Sequence, residues 1–566
     1  MRLRLLAFVA PLALLGACAS SGGAPPELDI PGAPTAAADT AYGMFLAGNA
    51  ALNEGRSDEA ARFLELARAQ SGDEATVAER AFTAALLAGD VDKAAALAPD
   101  GPTASEPGKR MGRLVKAVEL IADGKGKAAQ EQLAGDAIGF PHRSAAALLA
   151  PWAAAQAGDT EASLVRPQVR GDTTVDYFGQ LGQAYLYERA KRFDEAETDF
   201  KALMAGEAPS ELVVLGYGGF LERRGRRADA VKLYDAALAR NPTSIGLKTA
   251  RTRAAAGKSA PQAPSVKEGA ALAMLAPAAT MIAAKQGQIG LAYLRLALRL
   301  DPQRNDVWLM VGDVLQSAGD AENARAAYSK PKPGSPEYGA AQAKLAWSYQ
   351  QDGQKETALK LARAAAATGD ADARLTLSDL LRANEQYEES IQMLGQLIGE
   401  SPTPDWRLYY ARGAALSQLN RWTEAEADLL AALKLRPEEP ELLNFLGYSW
   451  IDRGERLKEA MAMVEKAVAA NPRSGAMIDS LGWAYYRLGD YKTAVEKLEQ
   501  AVELEAGDPE INNHLGDAYW MVGRKDEAVF QWRRVLTLNP DAKIKGDAER
   551  KLASGLGPQA PKLATQ

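Results

Sequence analysis

Apolar side chains recur three and four residues apart through most of this chain, in runs that glycine or proline then stops. Within "DSLGWAYY", Leu481 and Tyr485 lie four apart and so share one helix face, where they pack on a partner helix. Gly482 carries no side chain, which lets the two helices approach closely. "RLGDY" breaks the pattern at Gly489, with Asp490 placed to cap the next helix. In that second helix Ala494 and Ala501 keep the contact surface small and Leu498 fills the gap between them. The pattern predicts short paired helices, because a coiled coil would need long helices without these stops.

The pairs repeat. Gly413, Gly447, Gly482 and Gly516 stand 34, 35 and 34 residues apart, and Ala425, Ala460, Ala494 and Ala528 stand 35, 34 and 34 apart. Such self-similarity marks stacked supersecondary units. Pro437, Pro472 and Pro540 end their units because proline cannot continue a helical hydrogen-bond ladder. Ala506 departs from this at the third join, where "GDP" supplies the turn. Weaker copies reach back to "RSDEAARFLELARAQSG" at 56–72, giving about fourteen helical hairpins.

Three stretches interrupt the array. "ASSGGAPPELDIPGAPTAAADT" at 19–40 reads as a disordered tether, "AAGKSAPQAPSVKEG" at 255–269 as a separator of two half-arrays, and "KPKPGSPEY" at 330–338 as a shorter join. The expected organisation is a leader at 1–17, a tether at 18–40, degenerate repeats at 41–254, a linker at 255–269, central repeats at 270–402 and well-matched repeats at 403–540. A polar capping helix at 541–556 and a free tail at 557–566 follow.

Composition sharpens the helical reading, since aromatics are only 7% and alanine, the best helix former, is abundant. A net charge of −7 argues against a nucleic-acid partner, whose phosphates call for a basic face. Two histidines and one cysteine are too few for a zinc site, and neither histidine adjoins a nucleophile motif. His142, in "GFPHRSAAA", is expected in a solvated loop, and His514 as a packing or groove residue. Carboxylate pairs sit at helix starts such as "DEA", where the helix dipole favours them. With no phosphate loop or dinucleotide fingerprint, the chain reads as no enzyme, with no cofactor and no metal. The basic run "ERRGRR" at 222–227 falls in a turn and is expected to be solvated.

At the start, Arg2 and Arg4 precede the uncharged run "LLAFVAPLALL", as in a secretory signal peptide, and that run is too short to span a bilayer. "LGAC", Leu15 to Cys18, resembles the lipobox of bacterial lipoproteins. The resemblance implies that Cys18 is lipidated and becomes the N-terminus; an ordinary small-residue cleavage site at "ACA" is the alternative. Ala19, in place of the aspartate that retains lipoproteins at the inner membrane, implies the periplasmic face of the outer membrane in a Gram-negative bacterium. With one thiol, no disulfide forms within the chain.

The segments "YYARGAALSQLNRWTEAEADLLAALKLRP", "NFLGYSWIDRGERLKEAMAMVEKAVAANP", "DSLGWAYYRLGDYKTAVEKLEQAVELEA" and "NHLGDAYWMVGRKDEAVFQWRRVLTLNP" each resemble the tetratricopeptide repeat. The resemblance implies an all-α solenoid, a right-handed superhelix of helix-turn-helix repeats whose first helices line a concave groove for partner proteins. The family's groove positions fall here on Asn444, Tyr448, Ile451 and Asp452, then Asp479, Trp483, Tyr486 and Arg487, then Asn513, Asp517, Trp520 and Met521. Trp450, Tyr485 and Tyr519 take inter-helix packing positions, while Trp483 and Trp520 are expected to be exposed. Asn444 and Asn513 suit a carboxylate clamp of the chaperone-binding type, but Tyr448 and Asp517 depart from it. Lipobox and array together resemble the outer-membrane tetratricopeptide lipoproteins that tether a periplasmic carboxyl-terminal processing protease. That implies a scaffold or adaptor for a protease or cell-wall hydrolase; an accessory lipoprotein of an outer-membrane export or assembly system is the alternative.

Overall fold

The structure is a computed structural model that describes residues 40–556 apart from 72–73, 136, 207–208, 242–243, 368 and 402–403. The leader, Cys18, almost all of the expected tether and the tail at 557–566 lie outside the described residues. Every regular element among the described residues is a helix, and the helices divide into two compact units at 373/374.

In the first unit, helices pair in chain order: α1 (Ala41–Asn53) with α2 (Ser57–Ser71), α3 (Ala75–Ala88) with α4 (Val91–Ala96), and α5 (Glu106–Ala122) with α6 (Gly126–Leu133). The pairs continue as α7 (Arg143–Ala157) with α8 (Thr160–Ser163), α9 (Thr173–Arg189) with α10 (Phe193–Met204), and α11 (Glu211–Arg223) with α12 (Arg227–Leu238). After the single α13 (Ile245–Ala255) come α14 (Val266–Ala283) with α15 (Gly287–Leu300), α16 (Asn305–Ser317) with α17 (Ala321–Tyr328), and α18 (Tyr338–Gln351) with α19 (Lys355–Ala366). The division between units falls inside α20 (Ala371–Ala383). The second unit continues through α21 (Tyr387–Glu400), α22 (Trp406–Gln418), α23 (Trp422–Leu435), α24 (Pro440–Arg453) and α25 (Leu457–Ala470). It ends with α26 (Gly475–Leu488), α27 (Tyr491–Leu504), α28 (Pro509–Met521), α29 (Lys525–Thr537) and α30 (Ala542–Ser554). Fourteen hairpins result, with α13 and α30 unpaired, and every second helix legible in the sequence is present.

Local chemistry sets the boundaries. Asp90, Asp159, Asp320, Asp490 and Asp541 each accept the backbone N–H three residues on, in the first turn of the helix they start, so side-chain oxygens satisfy donors that the helix cannot. Gly489 ends α26 at φ 84°, a left-handed conformation that a side chain would disfavour. The core is the seam between paired helices, built of alanine and leucine with a few large fully buried rings such as Trp152, Trp450 and Trp532. Glycines in the seam set the spacing: a Cβ on Gly482 would lie 2.7 Å from Leu498 Cγ, and one on Gly447 2.8 Å from Val464 Cγ2.

Two expectations change. The stretch at 255–269 does not separate two half-arrays. Its last residues already form α14, capped by Ser265 and Glu268, and the α14–α15 hairpin packs back on α3, α5, α7 and α9. The apolar positions of α14 and α15 are satisfied by that contact, which draws residues 266–300 into the core begun by α1. The run at 222–227 is exposed from Arg224 to Arg227, as a solvated turn requires, but its first two residues are not, and most of its charges are paired. Arg223 forks onto Glu188 at 2.7 Å through two nitrogens, Arg226 joins Glu197 and Asp229, and Arg224 lies 3.7 Å from the Phe193 ring centre. Glu222 is buried and accepts from Tyr234 Oη at 2.9 Å and Arg253 Nη2 at 2.6 Å.

Candidate protein-binding face

The second unit places its sequence-expected groove residues on the first helices α24, α26 and α28. Glycine stands at the seam of each first helix, and the twelve residues are spread around the rest of it, with Asp517 and Trp520 also reaching Trp532 on α29. Their environments differ sharply. Asp452 is exposed; Asn444, Tyr448, Trp483, Tyr486, Arg487, Trp520 and Met521 are half-buried; Ile451, Asp479, Asn513 and Asp517 are buried.

At the centre is His514, which the sequence placed only as a packing or groove residue. Its Nδ1 lies 3.0 Å from both carboxylate oxygens of Asp479, and its ring stacks on Trp483 with centroids 4.1 Å apart and planes 15° apart. Trp483 is sandwiched, for Tyr486 stacks on it at 4.6 Å. Burial opposes charge on the imidazole, yet the Asp479 carboxylate, aided by Glu510 and Asp517, outweighs it and raises the pKa to about 9. His514 is therefore an imidazolium at neutral pH, held between a carboxylate and the face of an indole. Tyr448 donates to Glu510 Oε1 at 3.0 Å across two repeats, and burial followed by neighbouring carboxylates raises its pKa. Arg487 donates to the Asp452 backbone carbonyl at 2.7 Å and to its carboxylate at 3.3 Å.

The terminal helix takes up the rest. Lys551 Nζ, itself buried, donates to Asp517 Oδ2 at 2.7 Å and Asn513 Oδ1 at 3.1 Å, and Asn513 Nδ2 donates to Asp547 at 3.0 Å. Trp532 Nε1 supplies the other Asp517 oxygen at 3.0 Å. Burial nonetheless raises the Asp517 pKa, against the pull of Lys551. The expected exposure of Trp483 and Trp520 is corrected accordingly: Trp483 lies between His514 and Tyr486, and Trp520 packs against Trp532 at 5.4 Å and under Gly555. Trp450 and Tyr519 are buried and Tyr485 half-buried, as their packing positions require. Two polar atoms on this face, Asn444 Oδ1 and Trp483 Nε1, are buried without a partner.

The residues that reasoning from sequence passed over are Glu510, Lys551 and the charged role of His514. A signal for them existed. Arg487 and Asp452, His514 and Asp479, Lys551 and Asp517 are each separated by 34 or 35 residues, about one repeat, so successive units bring opposite charges to the same or adjacent positions.

His142 is also misplaced by the sequence reading. It is 4% exposed, with Nδ1 2.6 Å from Tyr293 Oη on α15, because α15 packs over the loop that leads into α7. Burial, and after it the nearby Arg110, pushes its pKa down to about 4.

Helical pairs stacked along a glycine and alanine seam are the arrangement of an all-α solenoid of tetratricopeptide type. Family models bear this out in part of the chain: one described as tetratricopeptide repeat matches 181–245 and 410–474, and one described as TPR repeat matches 482–523. The chain is similar to the TPR repeat-containing protein PA4667 of Pseudomonas aeruginosa, at 33% identity over 140 residues. That stretch is 25% of this chain and 23% of that protein, so the similarity spans about a quarter of the relative's length. Among solved structures, the Cut9–Hcn1 hetero-tetramer of APC/C aligns over 91% of this chain and 96% of its own, at 16% identity and a TM-score of 0.39. A tetratricopeptide repeat protein from Parabacteroides merdae aligns over 44% and 100%, at 15% identity and a TM-score of 0.38. The thermophilic TPR protein TTC0263 of Thermus thermophilus aligns over 33% and 98%, at 24% identity and a TM-score of 0.29.

Proposed function

We propose that this protein is a non-catalytic scaffold, anchored through lipidated Cys18 at the periplasmic face of the outer membrane, that holds protein partners on the first-helix face of its second unit. The observation that carries the reading is that face itself. It keeps Asp452 exposed and Tyr448, Tyr486, Arg487, Trp520 and Met521 half-exposed, a mixture of large aromatics and charges of the kind that concentrates binding energy in interfaces. Repeats of this fold generally bind proteins rather than transform small molecules. A periplasmic protease or a cell-wall hydrolase is the partner class we favour, on the combined resemblance of lipobox and C-terminal block; a channel of an export or assembly system is the alternative partner.

Affinity purification of the full-length protein from solubilised membranes tests this. The double variant Tyr448→Ala, Asp452→Arg removes the Tyr448–Glu510 and Arg487–Asp452 side-chain contacts but spares the direct His514–Asp479 and Lys551–Asp517 pairs, and is expected to remain folded while losing at least tenfold of the co-purified protease or hydrolase. Undiminished recovery of those partners from the variant overturns the placement on this face, and recovery of a channel alone favours the alternative. Labelling by radioactive palmitate is expected for the wild type and absent in Cys18→Ser.

A further inference from the structure

The first unit presents six first helices in a row, α1, α3, α5, α7, α9 and α11, and one continuous stretch of the same chain crosses all of them. Beyond α13 the chain does not stack a new pair on the end of the array. It turns back: Pro261 offers its carbonyl to Arg223 Nη1 on α11 at 2.8 Å, and α14 then lies on α9 and α7, where Gly269 meets the Trp152 ring so closely that no side chain fits between them. The partner helix α15 lies on α5 and α3. Arg299 forks onto Glu119 of α5, Arg295 Nε donates to the Leu87 carbonyl at the end of α3 at 3.0 Å, and Gln288 Nε2 donates to the Leu52 carbonyl of α1 at 3.4 Å. The two polar contacts to main-chain carbonyls fall in the last turns of α3 and α1, where carbonyls lack i+4 partners and the dipole favours a donor or a cation; the Leu52 carbonyl also accepts from Gly55 N–H at 3.2 Å.

We propose that the α14–α15 hairpin is a resident ligand of the first unit's own protein-binding face, occupying it in the way a partner helix pair would. Three features separate a ligand from an ordinary member of the stack. Besides the stacking of α15 on the following α16, its contacts are with helices about 90 to 240 positions earlier in the chain rather than with its preceding neighbour α13. It is reached through the irregular, proline-containing stretch at 256–265. It is apolar on nearly all sides, the one helix among the described residues that is long and apolar enough to cross a membrane, because α7 and α9 cover one side of α14 and α15 covers another. A partner of the first unit therefore has two routes: displacing this hairpin, or using the outer surface of the second helices. The inference stands apart from the function proposed above, which concerns the second unit.

Hydrogen exchange on the full mature chain decides it. In Gly269→Leu the added side chain collides with Trp152 and expels the hairpin. The expected result is exchange at least tenfold faster in 266–300 and in α3, α5, α7 and α9, while α2, α10 and α12 and the whole of 374–556 keep their protection. Loss of protection across all of 40–373 together would show the hairpin to be an integral part of the core and overturn the proposal, as would an unchanged pattern. The triple variant Gln288→Ala, Arg295→Ala, Arg299→Ala removes only polar anchors and spares the apolar seam. It is expected to give a smaller rise confined to the same segments, and a global loss or no change again overturns the proposal.

Discussion

Gly482 shows how one residue sets the distance between two helices. A Cβ there would come within 2.7 Å of Leu498 Cγ and 3.3 Å of the Leu498 backbone nitrogen, closer than a packed seam allows. Gly482→Val is accordingly expected to destabilise the second unit by about 1–3 kcal/mol, the usual cost of forcing extra volume into a packed seam, read as a lower urea midpoint with unchanged slope. The glycine was legible because it recurs with the repeat, and so were the helix stop at Gly489 and the cap at Asp490. The histidines were not. A residue in "GFPHRSAAA" reads as a loop residue from its neighbours, and only the arrival of Tyr293, 151 positions later, makes it buried. His514 was placed as packing or groove, but its charge comes from Asp479 on the previous first helix.

Between successive elements one arrangement recurs. A glutamate on a second helix receives an aromatic donor from the following first helix and an arginine from the turn after that. Glu499 accepts from Tyr519 Oη at 2.7 Å and Arg524 at 2.9 Å, with the guanidinium 4.1 Å from the Tyr519 ring centre. Glu197 accepts from Tyr217 at 3.1 Å and Arg226 at 2.8 Å. Glu426 accepts from Trp450 Nε1 at 2.9 Å, with Arg456 3.8 Å away and over the Trp450 ring. Each bracket joins one pair to the next, so its loss weakens a junction between pairs rather than a pair. Glu499→Ala is expected to cost about 0.5–1.5 kcal/mol, discounted because the glutamate is partly exposed, and to raise hydrogen exchange chiefly in α28 and α29. The helices themselves were legible throughout, since each second helix follows a glycine or polar stop and is amphipathic. The docking of α14 and α15 was not legible, because periodicity reports which face of a helix is apolar and carries no information about which distant helix will cover it.

In the whole molecule the two units respond to pH in opposite directions through their histidines. His142 has a folded-state pKa of about 4, below the ordinary 6.5, so the unfolded chain binds the proton first and stability is lost as pH falls from 6.5 towards 4. His514 has a folded-state pKa of about 9, so its contribution is complete below 6.5 and is lost as pH rises towards 9. Each accounts for about 3 kcal/mol at most. Hydrogen exchange corrected for its intrinsic pH dependence is expected to show 40–373 loosening in acid and 374–556 in alkali, with His142→Gln and His514→Gln each flattening one profile and leaving the other unchanged.

The hairpin that crosses the first unit also has a consequence in time. Residues 266–300 leave the ribosome about 200 residues after α3 has been made, which at 5–20 residues per second is a delay of about 10–40 s. As they emerge in turn, the leucines and alanines of α3, α5, α7 and α9 await a cover not yet synthesised, for the whole of that interval at α3 and for roughly the last half of it at α9, so a nascent chain of this protein carries its exposed surface with it, and whatever shields that surface until α15 emerges is a requirement of its biogenesis.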